Sequence, residues 1–479
     1  MTKLSAWEIA GVVLVLCAAT AIVAPAQTFT TLVNFGSGNS GTNPYASLVQ
    51  GTDGSLYGTT LRGGTFGWGT VFKVTPSGVK SIYNFCTQSN CADGAAPIGG
   101  LVLAADGSFY GTTEEGGNQC PLDSTCGTIF KISASGSLTL LHAFDGSDGM
   151  NPMGYLLQSA SGNFYGTTAS GGANNDGTVF KISAAGILTT LDSFDSTDGA
   201  SPDGALVLGS DGKIYGITNV GGDLTCNAPV GCGTVFDVGS AGALATLYSF
   251  NTDGGILPYG GLVQGTNGNF YGTTIEGGNN NGGTVFEISS GGLLTTLYSF
   301  CTQSNCTDGG SPYSGLVNGT DGNFYGTTRL GGDFCAPYGC GTIYQITPTG
   351  VLTTLHSFDS TEGNFPFGGL FQATNGIFYG TTFLGGSFSE GTIYSLNMGL
   401  GPFVTFVRAA GRVGQTGGIL GEGFTGTTSV AINGIPGTFT VVSDTFIKAT
   451  VPAGATTGYV TVTTHSGTLT SNVPFHVIP

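Results

Sequence analysis

Charge is the scarcest feature of this 479-residue chain: only 8% of its residues are Asp, Glu, Lys or Arg. Disorder needs low hydrophobicity as well as polarity, and here 40% of residues are hydrophobic and the mean hydropathy is +0.22, so a folded chain is expected. Basic residues are the rarer sign, with 11 Lys and Arg against 28 Asp and Glu, a net charge of −17 and a pI near 4.2. Binding to phosphate backbones requires basic patches that release counterions, so nucleic acid and anionic membrane surfaces are excluded as partners. Amphipathic runs of helix formers are missing, which excludes a helical bundle.

Long apolar runs are missing too. The run from Ile9 to Val23 is too short for a membrane-spanning helix. It follows Lys3 and precedes Ala24-Pro25-Ala26, the small-x-small pattern of a signal peptidase site, so residues 1–26 read as a signal peptide. An uncleaved anchor is the competing reading. Cleavage would leave a chain starting near Gln27 with no membrane span, secreted, periplasmic or on the outer cell surface.

Setting Cys17 aside, ten cysteines fall into five close pairs: Cys86/Cys91, Cys120/Cys126, Cys226/Cys232, Cys301/Cys306 and Cys335/Cys340. Local pairs on an exported chain read as disulfides. Zinc is the alternative, but these spacings lack nearby His. Loops this small are stiffened by their disulfides more than the whole fold is stabilised.

What the chain has in quantity is glycine, 87 residues, and aromatics, 11%. Both belong to a repeat whose fifth copy reads PYGGLVQG, TNGN, FYGTT, a GG-containing loop, GTVFEI, SSGG and LLTTLYSF. Copies centre on Tyr57, Tyr110, Tyr165, Tyr215, Tyr271, Tyr325 and Tyr379, spaced 50 to 56 residues apart. Each holds four short strands. Pairs such as Asp53-Gly54 and Asn267-Gly268 predict a tight type I′ hairpin between the first and second strands. Strands with both faces apolar, such as Phe270-Tyr271 and Val285-Phe286, must be covered from both sides.

Four strands per unit at this period predict an all-β fold: a seven-bladed β-propeller with four-stranded blades, over residues 27–397. The last unit lacks its outer strand, and the orphan segment Phe29 to Phe35 is expected to supply it, so that an N-terminal strand closes the last blade. Pro402 to Arg408 is the alternative donor. From residue 402 to 479 the repeat grammar gives way to alternating strands such as SVAING and YVTVTT, which suit a small Ig-like β-sandwich.

The units PYGGLVQGTNGNFYGTTIEGGNNNGGTVFEIS resemble the extracellular tandem repeat named for Gloeobacter and Verrucomicrobia, over about residues 28 to 396. The tail, with GRVGQTGGILGEGF, SVAING and VPAGATTGYVTVTTHSG, is similar to IPT/TIG immunoglobulin-like domains. The first resemblance implies no established activity and the second implies a spacer or binding module.

Alternating strand direction puts the second-to-third and fourth-to-first connections on one face of the ring, with all five cysteine pairs. Variable loops on one face are where repeat scaffolds carry function. The residue after each opening Pro is Tyr45, Ile98, Met153, Asp203, Tyr259, Tyr313 or Phe367. Tyr45, Tyr259, Tyr313 and Phe367, with Asp203, could stack a sugar or peptide over the channel. Packing of the inner wall is the competing reading. Just after the second strand, Arg62, Glu115, Glu276 and Arg329 form either a charged rim or ordinary solvated loops.

The acidic loops, containing Asp145, Asp148, Asp195 and Asp198 (with Asp253, Asp359 and Glu362 in later copies), read as turn formers first, with calcium binding as the alternative and no other cofactor expected. His142 and His356 share an outer-strand repeat position, so no Ser/His/Asp or Cys/His constellation is defined. The expected function is therefore a secreted or cell-surface binding or scaffold protein that presents a disulfide-stiffened face to extracellular glycan or protein. A glycan-active hydrolase or lyase using carboxylates of that face is one alternative. A purely structural envelope protein is the other.

Overall fold

A computed structural model describes residues 27–36, 40–117, 126–239 and 242–478, so the expected signal peptide lies outside the described residues. The chain is all-β, built from four-stranded antiparallel sheets, and the helical elements among the described residues are two 3-10 turns, Ser89–Cys91 and Ser304–Cys306. Each repeat unit forms one sheet in chain order, as in the fifth, with strands Val263–Gln264, Phe270–Glu276, Thr284–Ile288 and Leu294–Ser299. That sheet also carries an extra strand, Ile256–Pro258, on its second strand.

The repeated motif is explained by packing. In FYGTT the Tyr of one unit meets the Phe of the next, as in Tyr110/Phe164, Tyr215/Phe270 and Tyr325/Phe378, with ring centroids 4.1 to 4.2 Å apart. Such pairs add roughly 0.5–1.5 kcal/mol each beyond their burial. The motif's Gly leaves room for the third-strand ring to lie across it: a Cβ on Gly272 would stand 2.6 Å from Phe286 Cζ. Its second Thr shares a buried hydroxyl pair with the Thr that opens the third strand, at 2.8 to 2.9 Å in every unit from Thr60/Thr70 to Thr382/Thr392.

Apolar cores lie between consecutive sheets and return to the start. Phe35, Leu48, Leu56 and Phe72 pack with Ala373 and Ile393, joining the last unit to the first. Thr381 Oγ1 also donates to the Ala46 carbonyl at 3.0 Å, repeating the link that Thr327 makes to Pro366 in the preceding pair of units. This is the arrangement of a propeller. The strand Thr28–Asn34 pairs antiparallel with Thr392–Asn397, so the N-terminus supplies the outer strand of the last sheet. Thr405–Phe406, in the alternative donor segment, pairs with Thr416–Leu420 instead.

The hairpins differ from expectation. Gly54 N bonds to Gly51 O at 3.0 Å and Gly51 N to Ser55 O at 2.8 Å, so the loop spans three residues. Gly54 has φ of 78° whereas Asp53 is absent from the positive-φ residues. This is a type I turn followed by a left-handed Gly, not a type I′ pair. Asp53 Oδ1 accepts the Ser55 N–H at 3.1 Å, which holds the Asp in its turn, and Oδ2 accepts from Tyr57 Oη at 2.9 Å.

The residues after 402 form two further four-stranded sheets around a core of Val404, Phe424, Val430, Ile447, Val460 and Val462. They rest on the hairpin face of the repeat. Thr445 Oγ1 donates to Thr52 O at 2.9 Å, and Arg408 Nη1 and Gln415 Nε2 both donate to Ala160 O at 3.0 Å. Leu420 and Phe446 join the core of units one and two beside Tyr57 and Phe109. The hairpin face is therefore a docking surface within the chain.

Candidate functional site at the channel mouth

In each unit the segment that opens at Pro on the disulfide face leads down into the short first strand, as from Pro44 to Val49–Gln50, and so toward the hairpin. The side chains just after Pro therefore gather at the top of the channel. All seven, Tyr45, Ile98, Met153, Asp203, Tyr259, Tyr313 and Phe367, line one cavity of about 320 Å³. The four aromatic residues are half-buried and form a continuous arc from units five, six, seven and one. Tyr259 and Tyr313 lie 4.3 Å apart, Tyr313 and Phe367 4.9 Å, and Phe367 stacks on Tyr45 at 5.0 Å. The Tyr45 and Tyr259 hydroxyls meet at 3.5 Å. The rings thus pack on one another and also wall the cavity.

Asp203, from unit four, stands at the unit-five end of the arc, next to Tyr259. Asn219 Nδ2 donates to its Oδ2 at 3.3 Å, while its Oδ1 is buried without a hydrogen-bond partner. Burial pushes this carboxyl up to about 7, opposed by the Asn219 bond and reinforced by Glu114. The Glu114 carboxyl is itself raised by burial and by neighbouring Glu115. Burial also raises Tyr45, Tyr259 and Tyr313, keeping their hydroxyls protonated.

The floor is a residue that the sequence reading missed. Tyr155 reaches across the channel, its hydroxyl accepting the Ser47 N–H at 2.6 Å and lying 2.9 Å from Ser47 Oγ. A Cβ on Gly100 would overlap the Tyr155 ring, so that Gly makes the crossing possible. Equivalent positions hold Ser47, Gly100, Ala205, Gly261, Gly315 and Gly369, and one large side chain in that column was the available signal.

The four residues grouped as a charged rim occupy two different positions. Aligned on the GG that follows, Arg329 matches Glu114 and Asn219, whereas Arg62, Glu115 and Glu276 come one residue later. A one-residue offset reverses the face in extended chain. Arg329 accordingly sits over the rings of Phe365, Phe367 and Tyr313, at 5.3, 5.4 and 6.0 Å. Arg62 instead lies over Trp68 at 5.4 Å, Glu115 bridges to Ala95, and Glu276 pairs with Ile256. The predicted rim is therefore split, and Glu114 and Asn219 take the places beside the cavity.

The acidic loops spend their carboxylates locally. Asp145 Oδ1 accepts from Ser147 N and Oγ, and Asp148 Oδ1 accepts from Asp145 N. Asp195 and Asp198 repeat this pattern. Asp148 Oδ2 also meets His142 Nε2 at 2.7 Å, and Glu362 Oε2 meets His356 Nε2 at 2.9 Å, tying outer strand to loop. No group of three or more His, Cys, Asp or Glu that could hold a metal ion occurs among the described residues. Buried Asp93, not singled out in sequence, plays the same part for the Cys86 loop, accepting from Tyr83 Oη, Thr87 N and Oγ1, and Gln88 N.

Disulfides join Cys86–Cys91, Cys226–Cys232, Cys301–Cys306 and Cys335–Cys340, all in loops of this face. The expected Cys120–Cys126 pair lies outside the described residues, because Cys120 does. Loops of this face also expose Phe66, Trp68, Phe334, Tyr338 and Phe388, the last three at 52%, 74% and 63%. These belong to units six, seven and one, the sector that also carries most of the aromatic arc.

The sequence profile of the Gloeobacter/Verrucomicrobia repeat matches residues 20–228 and 224–440. No curated protein matches the chain. Among solved structures it is similar to a Bacteroides fragilis protein assigned as a 6-phosphogluconolactonase, at 19% identity and TM-score 0.43, covering 69% of this chain and 88% of that one. It is also similar to an auxiliary nutrient binding protein from Bacteroides ovatus, at 13% identity and TM-score 0.40, covering 78% and 76%. A gluconolactonase from Xanthomonas campestris matches at 11% identity and TM-score 0.36, covering 61% and 91%. Likeness at this level says nothing about activity.

Proposed function

We propose, for a chain that belongs to the Gloeobacter/Verrucomicrobia repeat family, a secreted or cell-surface binding protein that takes extracellular glycan at the channel mouth. In this reading residues 27–397 are a seven-bladed propeller closed by its N-terminal strand, and residues 402–479 are an Ig-like domain of the IPT/TIG type. One observation carries the reading: Tyr45, Tyr259, Tyr313 and Phe367 converge with Asp203 around one cavity of about 320 Å³. Aromatic rings give a sugar apolar area with fixed geometry, and a few convergent polar atoms set its orientation. Export is supported by the four disulfides, and no helix among the described residues is long and apolar enough to cross a membrane.

Glycan-array binding tests the reading, with loss expected on Tyr259→Ala. A second reading is a glycan-active hydrolase or lyase, favoured by a carboxyl held near 7 at Asp203, where a general acid works well. Binding without turnover supports the first reading, and turnover abolished by Asp203→Asn supports the second. Silence in both assays would favour a structural envelope protein.

A further inference from the structure

Resting on the glycan reading, we infer that the mouth selects a sugar bearing a protonated amino group, an amino sugar, through Asp203 and the surrounding aromatic arc. Asp203 is the one acid among the residues that line the cavity, and none of them is cationic. Its Oδ1 is buried without a partner, an arrangement that is costly until a donor arrives. Tyr45, Tyr259, Tyr313 and Phe367 line the same cavity, with Tyr259 next to Asp203, and their ring faces attract a desolvated ammonium. A carboxylate at the end of an aromatic arc is the chemistry of ammonium recognition, and the remaining ring area serves the sugar.

The surrounding face fits the same ligand charge. Its loops hold two cationic side chains, Arg62 and Arg329, and every other charged residue on them is Asp or Glu. The resulting negative potential concentrates cations at the mouth. Arg329 is not among the cavity-lining residues and stands over the rings of Phe365, Phe367 and Tyr313. Its charge opposes a bound ammonium, which gives a test by sign.

The test is calorimetric titration of the protein with a β-linked glucosamine tetrasaccharide and with its fully N-acetylated counterpart. We expect the amine form to bind at least tenfold more tightly at pH 6.5, and Asp203→Asn to remove that preference. Arg329→Gln should strengthen amine binding about twofold or more. Buffers of different ionisation enthalpy should show proton release on binding, as the ammonium pulls the Asp203 carboxyl down from about 7. Equal binding of both sugars, unchanged by Asp203→Asn, overturns the amine preference and leaves glycan binding standing. Binding of neither overturns both. Weaker amine binding in Arg329→Gln overturns the charge assignment, and circular dichroism of each variant excludes loss of fold as the cause.

Discussion

Tyr155 of the third unit takes the backbone N–H of Ser47 in the first at 2.6 Å, a hydrogen bond that crosses the channel and floors the mouth cavity. Gly100 of the second unit lies beneath it with no room for a Cβ. Gly100→Ala should therefore cost about 1–3 kcal/mol, the usual range for overpacking, by displacing Tyr155. Tyr155→Ala should absorb much of that penalty when the two are combined. A urea-unfolding double-mutant cycle would show strong positive coupling, and simple additivity would mean the ring is not held where it crosses.

Asp203 makes stability depend on pH in a particular direction. Its folded pKa of about 7 lies above an unfolded value of ~3.9, so between these values the folded state holds a proton that the unfolded state has lost. Its contribution is then favourable at low pH and declines as pH rises from about 4 to about 7. Asp203→Asn should leave the melting temperature unchanged near pH 4 and raise it at pH 8. The difference between variant and parent across that range is the readout.

Closure by the N-terminal segment rests on Phe35, 1% exposed and packed with Phe72 and Ile393 between the first and last sheets. Phe35→Ala should destabilise by about 3–5 kcal/mol in denaturant unfolding. Leu32, 43% exposed on the adjoining strand, should tolerate Ala within about 0.5 kcal/mol. Similar small losses at both sites would contradict the structural weight given to this segment.

Phe446 belongs to the C-terminal sheets yet packs beside Tyr57 and Phe109 of the repeat. Phe446→Ala should loosen the docking, seen as faster proteolysis in the link from Asn397 to Gly401 with little change in ligand binding at the distant mouth. Unchanged cleavage would mean that the polar bonds from Arg408, Gln415 and Thr445 suffice.

The repeat was legible because every unit solves one packing problem with the same residues: Tyr against the next Phe, Gly beneath a third-strand ring, Thr paired with Thr. The mouth was legible in part for the same reason, since a Pro marks the same place in each unit and the residue after it points into the channel. Tyr155 lies two positions beyond that residue, in a column that is otherwise Ser, Ala or Gly, and only its size marks it in the sequence. Arg329 and Arg62 look equivalent in sequence because loops of unequal length hide a one-residue offset, which extended chain turns into opposite directions. The docking of the tail had no sequence signature. Its acceptors are backbone carbonyls of Thr52 and Ala160, which any residue would present.

The central claim is that the disulfide face, at its channel mouth, is the binding face. Its most direct test is calorimetric titration of oligosaccharides identified on an array into the parent protein, Tyr259→Ala with Tyr313→Ala, and the hairpin-face variant Tyr459→Ala. Loss of two stacking rings should weaken binding at least tenfold, each ring being worth about 0.5–1.5 kcal/mol beyond its area. Tyr459→Ala should bind as the parent does. Full affinity in the double variant, or loss of binding in Tyr459→Ala, would contradict the account and move the site to the other side of the ring.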